Sequence, residues 1–350
     1  MNQHTSPSRW SPDRLLADFE CLELPLPTAT AAPGEPETEI TATLVRPVAP
    51  RAGEPAGDPG PAPTEQVRDR AVLYVHGWND YFFQAHLARF WTEQGYAFHA
   101  LDLRRYGRSW RPGQFLGYTT DLTEYFDEID AAIDLIAADH PEIVLMGHST
   151  GGLISALWAA QRPGELAALV LNSPWLDLQG TPLLRAVGPL VVNAIAAQTP
   201  TRVFSLNDNG FYQRMINADE GEGEWHYDLT LKSTPLAQIR AGWLKAVLAG
   251  HQQVARGLHI GVPVLVLSST RTDFRRTWDA SLAEADIVLD VDQIAERSVR
   301  LGDLVTLARV EGAMHDVVLS HPPVRKQAFA LLAQWLGAYV PSASSAAKQT

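Results

Sequence analysis

Gly147-His148-Ser149-Thr150-Gly151-Gly152 sets one serine hydroxyl among small residues, directly after the apolar run EIVLMG. The pattern is G-x-S-x-G. A sharp strand-to-helix turn of this kind forces its serine into a strained backbone conformation and needs small neighbours where strand and helix approach closely. The hydroxyl then stands exposed at the carboxyl edge of a sheet, placed for nucleophilic attack on a carbonyl. A serine hydroxyl is a poor nucleophile at neutral pH, so a base must lie within hydrogen-bond reach and a third group must orient that base.

Eleven histidines compete for the role of base. His315, in VEGAMHDVVLS, follows the last predicted strand and falls on a loop at the same sheet edge as Ser149; it is the expected base. His148 adjoins the serine but points away in such a turn, and His76 sits at the end of a strand. His86, His99, His140, His226, His251, His259 and His321 fall on helices, loops or strand interiors and read as surface or packing residues.

The orienting carboxylate should follow the strand VPVLVLSS (262–269). Asp273, in SSTRTDF, is nearer the strand end and is favoured on simple geometry. Asp286 opens an apolar-punctuated segment leading into the helical stretch DVDQIAERS, and it is preferred. Asp290 and Asp292 read as helix-start residues, favoured there by the helix dipole. The charge developing on the carbonyl oxygen needs main-chain donors. The N–H of Thr150, at a helix start, is one. The other falls on His76-Gly77-Trp78, after the strand AVLYV, where Gly77 lets the backbone pass close to substrate and Trp78 supplies its N–H. These two residues before Trp78 also read as a simple turn. The chemistry calls for no metal and no organic cofactor.

The elements that must position these groups are legible as periodicity. Residues 18–27 and 39–46 read as strands, the second alternating Ile40, Ala42 and Leu44 with polar neighbours. From residue 71 onward strands and helices alternate: AVLYVHG, a helix carrying Phe83, Leu87, Phe90 and Trp91, then YAFHALD (96–102). A long amphipathic helix marked by Leu122, Phe126, Ile129, Ile133 and Ile136 precedes EIVLMG, and a helix from about 150 precedes AALVLNS (167–173). Short joins between such elements imply a parallel sheet covered on both faces. The rhythm stops over 175–258, which shows no clear strand, and returns at 262–269 and at DLVTLARVEG (303–312), before a C-terminal helix near 323–338. An insertion of that length sits as a cap above the strand ends. Its segment TPLLRAVGPLVVNAIA (181–196) is apolar on most faces and reads equally as a lid helix or as a helix packed over the core. Trp175, Phe211, Tyr212, Trp225, Tyr227 and Trp243 are candidates to line a pocket.

The bulk numbers bound the rest. A chain of 350 residues suits one α/β domain with an insertion, and its 46% hydrophobic content is ordinary for a globular protein. A net charge of −12 argues against a nucleic-acid partner. Cys21 is the sole cysteine, so no intrachain disulfide is possible, which fits a reducing compartment. The N-terminus lacks an apolar core of signal-peptide length, and no run suits a spanning helix. A cytoplasmic protein with no stable membrane insertion is expected. The expected division is 1–66, N-terminal strands with a Pro/Gly-rich flexible excursion from 47 that belong to the core; 67–174, the first part of the core; 175–258, the helical cap; 259–340, the second part of the core; and 341–350, a disordered tail.

The set YVHGWND, LDLRRYGRS, GHSTGG, LNSPW and GAMHD, in this order, resembles the α/β-hydrolases. It is most similar to the monoglyceride lipase and lysophospholipase group, also described as serine aminopeptidase-like hydrolases. The resemblance implies a mostly parallel sheet with helices on both faces and a helical cap that shapes an acyl pocket. It implies Ser149 as nucleophile, Asp286 as acid, His315 as base, and the backbones of Trp78 and Thr150 as oxyanion hole, with the spacing from acid to histidine matching Asp286 and not Asp273. The implied activity is hydrolysis of carboxylic esters (monoacylglycerol-like, lysophospholipid-like or small acyl esters) through an acyl-enzyme. Two alternatives stand beside it. One is an amidase or aminopeptidase on the same triad, with Asp219, Glu220, Glu222 and Glu224 as candidates to grip an amine; the other is a non-catalytic ligand-binding protein on a hydrolase scaffold. The chain departs from the group in two places: WNDYFFQ sets Trp78 and Tyr81 where substrate would lie, and TRTDFRRTWDASLAEA separates the strand end from Asp286.

Overall fold

A computed structural model describes residues 9–48, 69–179, 182–204, 209–233 and 237–341, with the backbone alone for 182–187. The excursion from 49 onward and the tail from 342 onward lie outside the described residues.

Among the described residues, nine strands form one sheet. In chain order these are β1 (Ser11–Pro12), β2 (Phe19–Pro25), β3 (Thr41–Pro47), β4 (Arg70–Val75), β5 (Ala97–Asp102), β6 (Glu142–His148), β7 (Ala168–Asn172), then, after an intervening two-stranded ribbon β8 (Val203–Phe204) and β9 (Ile239–Arg240), β10 (Val264–Ser269) and β11 (Val305–Val310). Their spatial order is β1-β2-β3-β5-β4-β6-β7-β10-β11. The first four in that order pair antiparallel, and from β5 to β11 every pairing is parallel. Near-continuous apolar strands are what burial on both faces demands. Ala71, Leu73 and Val75 of β4 face one core with Ile143 and Leu145 of β6, while Val72, Tyr74, Val144 and Met146 face the other.

The first core is covered by α2 (Phe126–Ala137), α3 (Thr150–Gln161) and α6 (Ala241–Arg256), the second by α1 (Ala85–Glu93) and α8 (Pro322–Tyr339). The helix expected from Leu122 begins as a 3₁₀ turn over Leu122–Tyr125, capped by the Asp121 side chain accepting from the Thr123 N–H, before α2 takes over. Between β7 and β10 lie α4 (Pro182–Gln198), the β8–β9 ribbon, α5 (Phe211–Ile216) and α6. The ribbon corrects the reading of that stretch as strand-free: two-residue strands are too short to show alternation. α4 lies against α6 with Leu190 and Val191 exposed. No helix among the described residues is long and apolar enough to cross a membrane.

The chain leaves β4 toward β5 on one side and later returns to β6 on the other. Loops after β4 and β6 therefore part from one another at their carboxyl ends, opening a crevice at the switch point.

Candidate active site

Ser149 occupies that crevice, between β6 and α3. Its φ of 53° and ψ of −117° are a strained conformation for a residue with a side chain. Its N–H donates to the Asn172 carbonyl at 3.0 Å, and its own carbonyl accepts the Trp175 N–H at 3.0 Å. Glycine is required on both sides. A Cβ on Gly147 would stand 2.6 Å from the Gly151 carbonyl oxygen, and one on Gly151 would overlap the carbonyl oxygen of His76.

His315 lies on the loop after β11 with its Nε2 3.1 Å from Ser149 Oγ and its Nδ1 2.9 Å from Asp286 Oδ2. A carboxylate only accepts, so Asp286 keeps the proton on Nδ1 and leaves Nε2 free to accept from the serine hydroxyl. Asp286 is fully buried, and its Oδ1 accepts the N–H groups of Val288 at 2.8 Å and Leu289 at 2.7 Å. Asp273 instead pairs with Arg271 and Arg275. Asp290 caps α7 (Val291–Ser298), accepting from the N–H groups of Asp292 and Gln293.

The loop after β4 packs against the serine: a Cβ on Gly77 would sit 3.1 Å from Ser149 Cβ. His76 braces it, with Nδ1 donating to the Gly77 carbonyl at 2.7 Å and Nε2 accepting the Leu103 N–H at 3.1 Å. Burial pushes the His76 pKa down, which suits that neutral tautomer. Trp78 lines the cavity in front of Ser149. Tyr81 does not fill it; the ring turns into the core, and its hydroxyl accepts the Asp228 N–H at 2.7 Å.

Several groups that the sequence left unassigned also meet here. Asp80, almost wholly buried, pairs with Lys232 Nζ at 2.8 Å. Burial alone would raise its pKa, but the Lys232 ammonium and then His148 outweigh that and hold the carboxyl well below the usual range. The ammonium also faces the rings of Tyr212, Phe83 and Tyr227 at 5.6, 5.7 and 6.0 Å, a favourable setting for a buried cation. His148, expected to point away, stays within the site. Its Nδ1 lies 3.8 Å from Asp80 and 3.9 Å from Asp316, and its ring centre is 5.0 Å from that of His315. Among the described residues, His148 and His315 are the histidines that line the cavity; buried His251, for example, bonds the Trp175 carbonyl.

Ser149 and His315 open on a cavity of about 630 Å³, within the range of small-molecule sites. Its wall is mainly aromatic and aliphatic. Trp243 stands between Trp78 and Trp175, ring centres 5.6 and 6.0 Å away, and Tyr212 and Tyr227 contribute as expected. Phe211 and Trp225 do not line it: Phe211 packs on Trp278, and Trp225 stacks on His86. Among the described residues, no group of three or more potential ligands is placed to hold a metal ion.

Comparison with known proteins bears on the family and the fold. The chain is 26% identical to a monoacylglycerol lipase of Mycolicibacterium smegmatis, over 66% of this chain and 77% of that one. It is 30% identical to the AB hydrolase superfamily protein YisY of Bacillus subtilis, over 63% of this chain and 82% of that one. The crystal structure of Paleococcus ferrophilus monoacylglycerol lipase superposes with a TM-score of 0.57 at 20% identity, covering 77% of this chain and 96% of that one, and so shares its fold. Residues 66–275 match the family described as serine aminopeptidase, S33, and the chain belongs to that family of α/β-hydrolases.

Proposed function

We propose that this protein cleaves carboxylic esters with an apolar acyl group, using Ser149 as nucleophile, His315 as base and Asp286 as the acid that orients it. The observation that carries the reading is the run of contacts from Ser149 through His315 to Asp286, at 3.1 and 2.9 Å, at the floor of an apolar cavity. Attack by Ser149 Oγ transfers its proton to His315 Nε2, and Asp286 stabilises the imidazolium. The N–H groups of Trp78 and Thr150 receive the oxyanion, supported by the close packing of Gly77 on Ser149 and by the position of Thr150 at the start of α3. His315 returns the proton to the leaving alcohol. Water, activated by the same histidine, then releases the acid.

Monoacylglycerol-like, lysophospholipid-like or small acyl esters are the substrates, in keeping with the name of the mycobacterial relative and with the apolar wall. The aminopeptidase alternative needs a free carboxylate to grip an amine. Asp80 lines the cavity, but Lys232 already neutralises it. Asp219, Glu222 and Glu224 are engaged with His226, Arg214 and Arg325, and Glu220 is exposed outside the cavity. A fluorophosphonate probe should label the native protein at Ser149, and Ser149→Ala should lose both labelling and p-nitrophenyl ester hydrolysis. A panel of esters of graded acyl length beside aminoacyl-amides tests the substrate class. Faster turnover of the amides would overturn the ester assignment, and a folded protein that resists the probe would favour a binding role.

A further inference from the structure

The motif LNSPW has no part in the proton transfers above, yet its asparagine touches both halves of the site. Asn172 ends β7 and is fully buried. Its main-chain carbonyl accepts the N–H of Ser149 at 3.0 Å. Its side chain donates from Nδ2 to Asp316 Oδ1 at 2.6 Å and accepts the N–H of Val317 at Oδ1, 3.1 Å away. Asp316 Oδ1 also accepts the Val318 N–H at 3.2 Å. Asp316 is the residue after His315, so the amide grips the histidine loop immediately beside the ring that must meet the serine.

Strand pairing explains why such a grip is needed. His315 follows β11 at the edge of the sheet, with β10 and β7 between it and the serine-bearing β6. The histidine loop must reach across two strands, and Asn172 stands at the end of the strand adjoining β6. The partners are one carboxylate and one N–H, so the clamp needs a donor and an acceptor on one short side chain. An amide supplies both; a carboxylate or an aliphatic chain does not.

We propose that Asn172 is a positioning residue that sets the distance between Ser149 and His315 by holding the histidine loop against the nucleophile turn. The proposal rests on the reading of Ser149 and His315 as nucleophile and base. Asn172→Ala should lower kcat for ester hydrolysis about 10- to 100-fold, the cost of a displacement near 1 Å, with KM changed by no more than about twofold and an equal loss in the rate of fluorophosphonate labelling. Asn172→Asp sets a second carboxylate against Asp316, whose other oxygen faces His148 Nδ1 at 3.9 Å, so the carboxyl pair and that imidazole must together take up a proton. Its activity relative to the native protein should therefore rise as pH falls from about 8 to about 6, and adding Asp316→Asn should recover most of the loss. A purely structural asparagine would lower the melting temperature without moving that ratio. Should Asn172→Ala fail to fold, the aspartate variant and its double partner carry the test. Native-like kcat and labelling in folded Asn172→Ala, or a ratio that is flat with pH, would overturn the proposal. The downfield Nδ1–H resonance of His315 reads the loop without turnover: it should vanish or broaden in Asn172→Ala, and its persistence unchanged also counts against the clamp. Failure of the native protein to label at Ser149 sinks the hydrolase reading instead, and the resonance then decides the clamp alone.

Discussion

Asp286 and His315 meet at 2.9 Å although one follows β10 and the other follows β11. The contact exists because the loop after β10 doubles back. The Asp286 N–H donates to the Arg271 carbonyl at 2.9 Å, and its carbonyl accepts the Asp273 N–H at 3.0 Å. Asp286 is thereby returned to the strand end that Asp273 occupies in sequence. Asp286→Asn removes the acceptor that sets the histidine tautomer and should lower kcat on the order of 10³- to 10⁴-fold. Asp273→Asn loses only exposed ion pairs and should leave kcat within about threefold. Steady-state kinetics on one ester compares them, and the opposite ranking would show that the acid is misassigned.

Gly151→Ala should damage fold and activity together. The added methyl group meets the His76 carbonyl, and main chain cannot yield as a flexible side chain would. A stability loss of about 1–3 kcal/mol is expected from overpacking. Because the displaced loop carries Trp78, ester turnover should fall further than the loss of folded protein explains. Thermal denaturation alongside active-site titration separates the two effects.

The Asp80–Lys232 pair ties the loop after β4 to the chain between α5 and β9, and Asn79 adds bonds to the Ser233 carbonyl and hydroxyl at 3.1 and 2.9 Å. Lys232→Met removes the ammonium from the buried Asp80 carboxylate and leaves it the more distant His148 imidazole at 3.8 Å, which should cost about 3–5 kcal/mol. Adding Asp80→Asn should return part of that loss. Urea denaturation measures both, and a single variant as stable as the native chain would mean that the pair is not coupled as its geometry indicates.

Acid should destabilise the fold through buried imidazoles. Burial lowers the pKa of His99 to about 3 and of His251 to about 4, from an ordinary 6.5. The unfolded chain therefore takes up protons that the folded chain refuses. Stability from these groups is complete above 6.5 and falls as pH drops through that value toward the folded pKa values. By about pH 5 each should have lost on the order of 1–2 kcal/mol. Melting temperatures measured across that window should decline, and His251→Gln should flatten the decline.

Much of the site was legible because it is local or chemically unusual. The strained turn at Ser149 needs glycine at 147 and 151, and no common substitute meets that steric demand. Apolar runs of strand length identified β4, β6, β7 and β10, since a parallel sheet buried on both faces leaves few polar positions. Asn172 and Asp316 were visible as letters in LNSPW and GAMHD, yet nothing in their spacing says that they bond; they sit on separate strand ends that only the sheet brings together. Asp80 and Lys232 are equally remote from one another along the chain.

Residue types and periodicity alone thus determined the α/β layering, the strained turn at Ser149 and the loop that carries His315, because each follows from backbone sterics or burial within a short window. Tertiary structure decided which carboxylate stands behind His315, which aromatic rings face the cavity and what holds the serine turn beside the histidine loop. Those outcomes depend on how the loops after β7, β10 and β11 fold over neighbouring strands, and hydrogen bonds between distant segments leave no periodic trace in a sequence.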